Sequence, residues 1–294
     1  MTATSAAALI RLLRPAQWAK NLFLFAPLFF AGAAADRKLF FHTSLAFILF
    51  SLISSSVYIF NDVKDVEYDR SHPRKAKRPI AAGQVPVLPA LALSFFLAVF
   101  SLIAALRLSG DLVLIMMAYL TLNGAYSLFF KQVPILDVFC VSSGFILRVL
   151  AGGAVAGVTV SHWLLVCTLS LSLFLTFGKR RQELVNLGEE SARHRPVLRK
   201  YSLSFLNHTI TIVSTLTIVC YLLYVSDPQT VKFFGTRAPI ITVFFVLYGI
   251  LHYLNLLQTQ ALGGDPTELL FKDRALQISC LGWGLSWLVI IYLK

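Results

Sequence analysis

Residues 61–83 read NDVKDVEYDRSHPRKAKRPIAAG and follow an apolar run that is long enough to cross a membrane. On a helix with about 3.6 residues per turn, Asn61, Asp62, Asp65 and Asp69 share about a quarter of the circumference. Five cationic residues come directly after them: Arg70, Arg74, Lys75, Lys77 and Arg78. An acidic helix end before a basic loop explains the cations, but it does not explain three aspartates on one face. Oxygen ligands beside cations suit Mg²⁺ together with a substrate diphosphate.

The composition indicates a membrane protein with many spans. The chain of 294 residues is 57% hydrophobic and only 14% charged, and it contains 24 phenylalanines. No cleavable signal pattern follows the first apolar run. The net charge of +12 does not indicate nucleic-acid binding, because the basic residues flank apolar runs. The four cysteines are dispersed within apolar runs, so neither a disulfide nor a zinc site is predicted.

Apolar runs of suitable length predict an all-α membrane protein, a bundle of nine transmembrane helices with an active-site cavity that faces the cytoplasm. The nine predicted spans are 18–34, 40–62, 86–107, 111–130, 135–156, 161–178, 204–225, 238–259 and 271–292. No linker or soluble appendage interrupts them, which predicts a single domain over 1–294. Two long polar loops, at about 63–85 and 179–203, are predicted to carry the active site.

The distribution of positive charge predicts the orientation. With a cytoplasmic N-terminus, nineteen of the 26 lysines and arginines fall on the cytoplasmic side and six on the other side. This asymmetry is typical of a multi-pass protein of the bacterial inner membrane with its N-terminus in the cytoplasm. Both polar loops then also lie on the cytoplasmic side.

A second constellation follows the sixth predicted span, at Thr176, Gly178, Lys179, Arg180, Arg181 and Glu183. It contains no aspartate, so it does not predict a second metal-bound diphosphate. Adjacent cations suit direct binding of a phosphate monoester or diester, whereas the alternative is an ordinary positively charged stop after a span.

Further polar residues lie at the cytoplasmic ends of other predicted spans, where each could instead be an interfacial anchor. Arg148 is different, because it lies about 16 Å beyond Asp137 along one helix, well inside the bilayer. An intramembrane arginine is costly, so it either reaches a cavity or pairs with a buried carboxylate. The complete set of predicted substrate-binding residues is Gln17, Lys20, Lys77, Arg78, Tyr126, Lys131, Asp137, Arg148, Lys179 and Arg180.

Nine predicted helices and an NDxxDxxxD motif after the second of them resemble the UbiA superfamily of intramembrane prenyltransferases. The resemblance runs over nearly the whole chain, from Arg14 to Arg274, and includes FGKRRQEL at 177–184 and KDRALQ at 272–277. It implies that Asp62, Asp65 and Asp69 are catalytic and that they hold Mg²⁺ together with Asn61. The aromatic prenyltransferases of the group have a second DxxxD motif after helix 6, and here that place reads Lys179 to Glu183.

The lack of a second DxxxD motif at 179–183 implies one metal–diphosphate site and one cationic site. The resemblance therefore implies transfer of a phosphoribosyl group from phosphoribosyl diphosphate to a polyprenyl phosphate, for envelope polysaccharide synthesis. Two other hypotheses stay open: a prenyltransferase with an aromatic acceptor, and a secondary transporter. Transporters place polar residues near the midplane and often show inverted repeats, which this sequence does not. Homo-oligomers are possible, and no nucleic-acid partner is expected.

Overall fold

The computed structural model describes residues 6–71, 75–187, 196–259, 269 and 272–293. Within these residues the regular elements are α-helices and short 3-10 helices. The α-helices are α1 (Ala6–Leu13), α2 (Phe25–Phe30), α3 (Arg37–Lys64), α4 (Val66–Arg70), α5 (Val87–Ala105), α6 (Gly110–Leu128), α7 (Leu136–Ala156), α8 (His162–Leu187), α9 (Leu203–Ser226), α10 (Pro228–Phe234), α11 (Thr242–Thr259) and α12 (Arg274–Tyr292). The 3-10 helices are Pro15–Leu24, Lys75–Lys77, Phe130–Gln132, Pro196–Lys200 and Ala238–Ile241.

The predicted class, an all-α membrane protein, is confirmed. In the described part of the chain, eight helical segments are long and apolar enough to cross a membrane, as judged by length and composition. They correspond to the second through ninth predicted spans. Side chains on these helices that face outward are large and apolar, such as Phe95, Phe96 and Ile212, which is the expected surface of a helix in lipid.

The first predicted span, 18–34, differs from the prediction, so the ninth transmembrane helix stays a prediction. Its residues form the 3-10 helix Pro15–Leu24, which is followed by the six-residue helix α2. Pro15 occupies the first position of the 3-10 helix, and Pro27 lies inside α2, where it has no backbone N–H to donate. Hydropathy identifies an apolar run, but it does not report this change of backbone geometry.

The chain divides into two compact units, Met1–Val160 and Ser161–Lys294. The single domain that the sequence predicted stays a prediction. In the first unit, α3 is the central helix and packs against α5, α6, α7 and the Pro15–Leu24 helix. Its core contains Phe50, Ile53, Met116 and Tyr119, all nearly inaccessible to solvent. Asp36 begins α3 by accepting hydrogen bonds from the backbone N–H groups of Lys38 and Leu39.

In the second unit, α8 packs against α9, and α11 packs against α12. Helix α8 continues past the predicted end of its span at residue 178, so Lys179 and Arg180 lie on a helix and not at the start of a loop. The residues after Gly178 are strong helix formers, and the helix therefore extends beyond its apolar part. Residues 72–74 of the first predicted loop and 188–195 of the second lie outside the described residues.

Candidate active site

The aspartate motif lies on two helices that meet at Asp65. Asn61 and Asp62 are in the last turn of α3, and Asp69 is in α4. Asp65 ends α3 with φ −101° and ψ 10°, and its N–H still donates to the carbonyl of Asn61 at 2.9 Å. The break changes the predicted single face, because Asp62 and Asp69 are almost fully buried, whereas about a third of the Asp65 side chain is exposed.

The two buried carboxylates converge on one guanidinium. Nη1 of Arg78 donates to Oδ1 of Asp62 at 3.0 Å and to Oδ2 of Asp69 at 2.6 Å. Arg14, from the junction between α1 and the Pro15–Leu24 helix, donates to the same oxygen of Asp62. Nζ of Lys75 lies 3.9 Å from Oδ1 of Asp69. The spacing of the motif predicted proximity of the carboxylates, and the fold adds the cations that bind them.

Residues at the end of α6 and just after it also contact the aspartate motif. Nζ of Lys131, in the short helix Phe130–Gln132, lies 2.5 Å from Oδ1 of Asp65. Ser127 donates to the side-chain oxygen of Asn61 and also to the carbonyl of Asn123, at 2.9 Å for the latter. Asn61 is therefore held in place by α6.

Asp62 and Asp69 fit a divalent cation. Oδ1 of Asp69 is buried and accepts no hydrogen bond from the described residues. Burial raises the pKa of Asp69, while Arg78 and Lys75 act in the opposite direction. Mg²⁺ commonly binds to one or two carboxylates and completes its coordination with water and substrate phosphates. Two convergent carboxylates with one oxygen that lacks a donor match that requirement.

Asp65 does not already stand with the other two carboxylates around a common point. Among the described residues, no three acidic, histidine or cysteine side chains are arranged to hold a metal ion. The reason is visible in the structure, since Lys131 binds Asp65 while Arg78 binds Asp62 and Asp69. The assignment of all three aspartates, and of Asn61, as metal ligands stays a prediction.

Two residues next to this group have strained backbones. Arg14 (φ 54°) and Ile135 (φ 71°) are the non-glycine residues with positive φ in the described chain. Around Ile135 the N–H of Leu136 donates to the carbonyl of Pro134 at 2.8 Å, which is the hydrogen bond of a γ-turn. Such conformations cost about 1–3 kcal/mol and cluster at functional sites. One of them carries the guanidinium on Asp62, and the other lies between Lys131 and Asp137.

The predicted substrate-binding residues of the first unit differ in how far they are buried. Gln17 and Lys20 lie in the 3-10 helix Pro15–Leu24 and are partly buried. Lys77 is exposed, Tyr126 on α6 is partly buried, and Asp137 in the first turn of α7 is fully buried. Arg78 and Lys131 of the predicted set contact the aspartate motif. The roles of all these residues stay predictions.

Arg148 lies on α7 with only 4% of its surface exposed. Its guanidinium donates to Oδ1 of Asn21 at 2.7 Å, to the carbonyl of Gly144 at 2.7 Å and to the hydroxyl of Tyr119 at 3.1 Å. The rings of Phe50, Tyr119 and Phe145 lie 4.9–5.5 Å from its central carbon.

The structure shows the partner of Arg148, while its predicted substrate-binding role stays a prediction. The guanidinium binds an amide oxygen and lies among aromatic rings, and the carboxylate partner is replaced by Asn21. Asn21 in turn donates to Ser51 on α3 at 2.9 Å. Arg148 therefore ties the Pro15–Leu24 helix to α3, α6 and α7.

The cations of the second unit have different surroundings from one another. Arg180 is buried, and its Nη1 lies 3.1 Å from Oε2 of Glu183. Arg181 donates to Oδ1 of Asn207 at 2.6 Å and to the carbonyl of Leu257 at 2.5 Å, which joins α8 to α9 and α11. Arg181 is thus a structural residue, whereas Lys179 and Arg180 stay the predicted phosphate ligands.

Asp273 begins α12 and also binds α11. Its Oδ1 accepts from the N–H of Leu276 at 2.9 Å and pairs with Nε2 of His252 at 3.1 Å. The His252 ring is stacked on that of Tyr248. These hydrogen bonds and the histidine outweigh the effect of burial and lower the pKa of Asp273.

Sequence reasoning missed Arg14 and His252. Arg14 was counted as a charge that sets the membrane orientation and as the start of the family resemblance. Its position directly before Pro15, where an α-helix is disfavoured, was the available signal. His252 and Asp273 are 21 residues apart on different helices, so no local pattern pairs them.

The fold and this site define an all-helical membrane protein whose buried acidic helix end is surrounded by cations. The model of the UbiA prenyltransferase family matches residues 22–272, and the chain belongs to this family. The family resemblance seen in the sequence is therefore confirmed.

Named relatives match over almost the whole chain. It is 37% identical to the decaprenyl-phosphate phosphoribosyltransferase of Mycolicibacterium smegmatis over 285 residues, which are 94% of this chain and 89% of the relative. It is 34% identical to the protein of the same name from Corynebacterium glutamicum over 290 residues, which are 97% of this chain and 87% of the relative.

A solved structure shares the fold. The structure of a UbiA homologue from Archaeoglobus fulgidus bound to DMAPP and Mg²⁺ matches with a TM-score of 0.72 and 18% sequence identity, covering 97% of this chain and 99% of that chain. At this identity the match supports the fold alone.

Proposed function

We propose that this protein transfers the 5-phosphoribosyl group from phosphoribosyl diphosphate to a polyprenyl phosphate and releases diphosphate. The relatives that match it over most of their length are named for transfer of a phosphoribosyl group to decaprenyl phosphate. The observation that carries the proposal is the convergence of Asp62 and Asp69 on the guanidinium of Arg78. It supports a Mg²⁺-dependent site for a diphosphate.

The donor diphosphate is bound by residues of the first unit. Asp62 and Asp69, with Asp65, would hold Mg²⁺, which would neutralise negative charge on the leaving diphosphate. Arg14, Arg78 and Lys131 lie against these carboxylates and donate to phosphate oxygens. Their positive charge stabilises the diphosphate as the bond between its oxygen and C1 of the ribose breaks.

The acceptor needs no general base, because a polyprenyl phosphate is already an anion. One of its phosphate oxygens forms the new bond to C1 from the face opposite the leaving diphosphate, which inverts the anomeric centre. We assign the binding of this phosphate to Lys179 and Arg180. Gln17, Lys20, Lys77, Tyr126 and Asp137 are further candidates for contacts with the donor.

The stretch 179–183 favours this reaction over prenyl transfer to an aromatic acceptor. A prenyl diphosphate donor held by two metal motifs requires carboxylates there, and this chain has Lys, Arg, Arg, Gln and Glu. Arg181 and Arg180 have protein partners in the second unit, on Asn207 and Glu183 respectively. One carboxylate-rich site and one cationic site suit a donor diphosphate and an acceptor monophosphate.

We place the protein in the bacterial plasma membrane with its N-terminus and its active site on the cytoplasmic side. This follows from the distribution of lysine and arginine and from the solubility of phosphoribosyl diphosphate in the cytoplasm. The lipid product is a precursor for polysaccharides of the cell envelope.

The test is an assay of the purified protein in detergent with radiolabelled phosphoribosyl diphosphate and decaprenyl phosphate. We expect a labelled product that extracts with lipid and disappears when EDTA removes the metal. In a parallel reaction, radiolabelled prenyl diphosphate with an aromatic acceptor gives no product. Label that passes from the prenyl diphosphate instead would overturn the proposal.

Two matched variants assign the chemistry to the aspartate motif. Asp65→Asn abolishes turnover because a metal ligand loses its charge. Asp36→Asn, at the opposite end of α3, retains turnover because asparagine also begins a helix well. Full turnover by Asp65→Asn with a normal melting temperature would show that the metal assignment is wrong.

A further inference from the structure

The negative charges of the aspartate motif are compensated by cations of the protein itself. Asp62, Asp65 and Asp69 contribute three negative charges, and each is in contact with a cation from another segment. These cations are Arg14, Arg78 and Lys131, and Lys75 is a fourth, 3.9 Å from Asp69. We infer that Arg14 and Arg78 are exchangeable counter-ions that occupy the metal-binding carboxylates until the donor diphosphate arrives, an inference that rests on the proposed function.

Arg78 contacts both of the buried carboxylates that would hold a divalent cation. Its Nη1 is 3.0 Å from Asp62 and 2.6 Å from Asp69, so one positively charged group contacts both. A metal ion bound through these same two oxygens would displace this guanidinium. The single oxygen of Asp62 that binds Arg78 also binds Arg14, and that oxygen cannot keep both guanidiniums and accept a metal.

The side chain of Arg14 has room to move from Asp62 to another partner. About a quarter of its side chain is exposed, and its guanidinium lies over the ring of Tyr58 at 5.3 Å. Its backbone is in the αL region between α1 and Pro15, so the side chain projects from a bend and not from a helix. A guanidinium released from Asp62 at this position is free to take a phosphate oxygen, with which it forms charge-assisted hydrogen bonds.

The charges predict the order of events. A divalent cation alone would add two positive charges to carboxylates that are already compensated, and the guanidiniums it displaced would have no anion to bind. A diphosphate supplies that anion, so metal and diphosphate enter together and the displaced arginines bind the phosphates. Removal of either arginine therefore has opposite effects on the two ligands. The metal alone binds more tightly, because a competitor is gone, whereas the diphosphate binds more weakly.

The test measures both ligands on Arg14→Gln and Arg78→Gln in detergent. Binding of Mn²⁺ alone, as a reporter for Mg²⁺, is followed by electron paramagnetic resonance of the free ion. Binding of phosphoribosyl diphosphate in saturating Mg²⁺ is followed by equilibrium dialysis of the radiolabelled donor. We expect each variant to bind Mn²⁺ roughly tenfold more tightly than the wild type and the donor roughly tenfold more weakly.

Two further variants make the result interpretable. Arg11→Gln removes an exposed arginine that donates to Gln84 and leaves both affinities unchanged. Arg78→Lys retains the charge and keeps Mn²⁺ binding near that of the wild type. Thermal unfolding of each variant shows that the fold is retained.

The outcomes separate this inference from the proposed function. Unchanged or weaker Mn²⁺ binding by both glutamine variants would overturn the exchange of counter-ions, even if donor binding falls. Failure of the wild type to bind the donor in Mg²⁺ would overturn the proposed function and the inference with it.

Discussion

Nζ of Lys131 lies 2.5 Å from Oδ1 of Asp65, although 66 residues separate them in the sequence. The contact joins the end of α6 to the junction of α3 and α4. Asp62 and Asp69, in contrast, are both bound by Arg78. The site thus contains two buried carboxylates bound by Arg78 and a third, more exposed carboxylate bound by a lysine.

Replacement of Lys131 by methionine keeps the length of the side chain and removes its charge. We expect kcat/KM for phosphoribosyl diphosphate to fall roughly 100-fold, because a cation that stabilises the leaving diphosphate is lost. Initial rates at varied donor concentration measure this change. Lys38→Met, at the opposite end of α3, serves as the matched control and retains wild-type rates. Equal rates for Lys131→Met and the control would exclude Lys131 from the site.

Arg148→Met tests whether Arg148 is structural. Asn21 and Tyr119 lose a donor inside the first unit, and we expect a loss of about 3 kcal/mol in the free energy of unfolding. Arg107→Met removes an exposed arginine and changes stability by less than about 0.5 kcal/mol. Thermal unfolding in detergent compares the two. A normal melting temperature together with a raised KM for Arg148→Met would instead support the substrate contact predicted from the sequence.

Two glycines on neighbouring helices form a matched pair for close packing. A Cβ on Gly152 would lie 1.9 Å from the carbonyl oxygen of Leu24, and backbone there cannot yield without moving the Pro15–Leu24 helix. Gly152→Ala is expected to cost about 2 kcal/mol of stability. A Cβ on Gly124 meets nothing within 4 Å, so Gly124→Ala is expected to stabilise the protein by about 0.5–1 kcal/mol. The same direction of change in both melting temperatures would contradict this packing.

The lowered pKa of Asp273 predicts a dependence of stability on pH. Because the pKa is lower in the folded protein than the ordinary value of 3.8, the ionised side chain stabilises the fold above that pH. The stabilisation is lost as the pH falls through the lowered pKa. Asp273→Asn keeps a good first residue for α12 but removes the charge.

Melting temperatures of the wild type and Asp273→Asn between pH 3 and pH 7 measure this effect. We expect the wild type to be more stable at neutral pH and the difference to shrink below about pH 4. A difference that stays constant over the whole range would mean that the charge of Asp273 does not contribute.

Much of this protein was predictable from local sequence. The eight long helices from α3 onward follow apolar runs, since a segment in lipid must satisfy its own backbone hydrogen bonds and therefore forms a helix. The aspartates of 61–69 were recognised because their spacing places them on neighbouring turns. The first span was not predictable in this way, because its 3-10 geometry depends on Pro15 and on contacts of the buried Asn21 with α3 and α7.

The sequence by itself determined the class of the protein, its helices, the acidic motif and the absence of a second one. These follow from hydropathy and from residues close together along the chain. Only the tertiary structure decided which cation binds which carboxylate, including the contact of Arg14 with Asp62. It also decided that Arg148 binds Asn21 among aromatic rings. The physical reason is that ion pairs and buried hydrogen bonds depend on distances between helices, and those distances are set by packing and not by spacing along the chain.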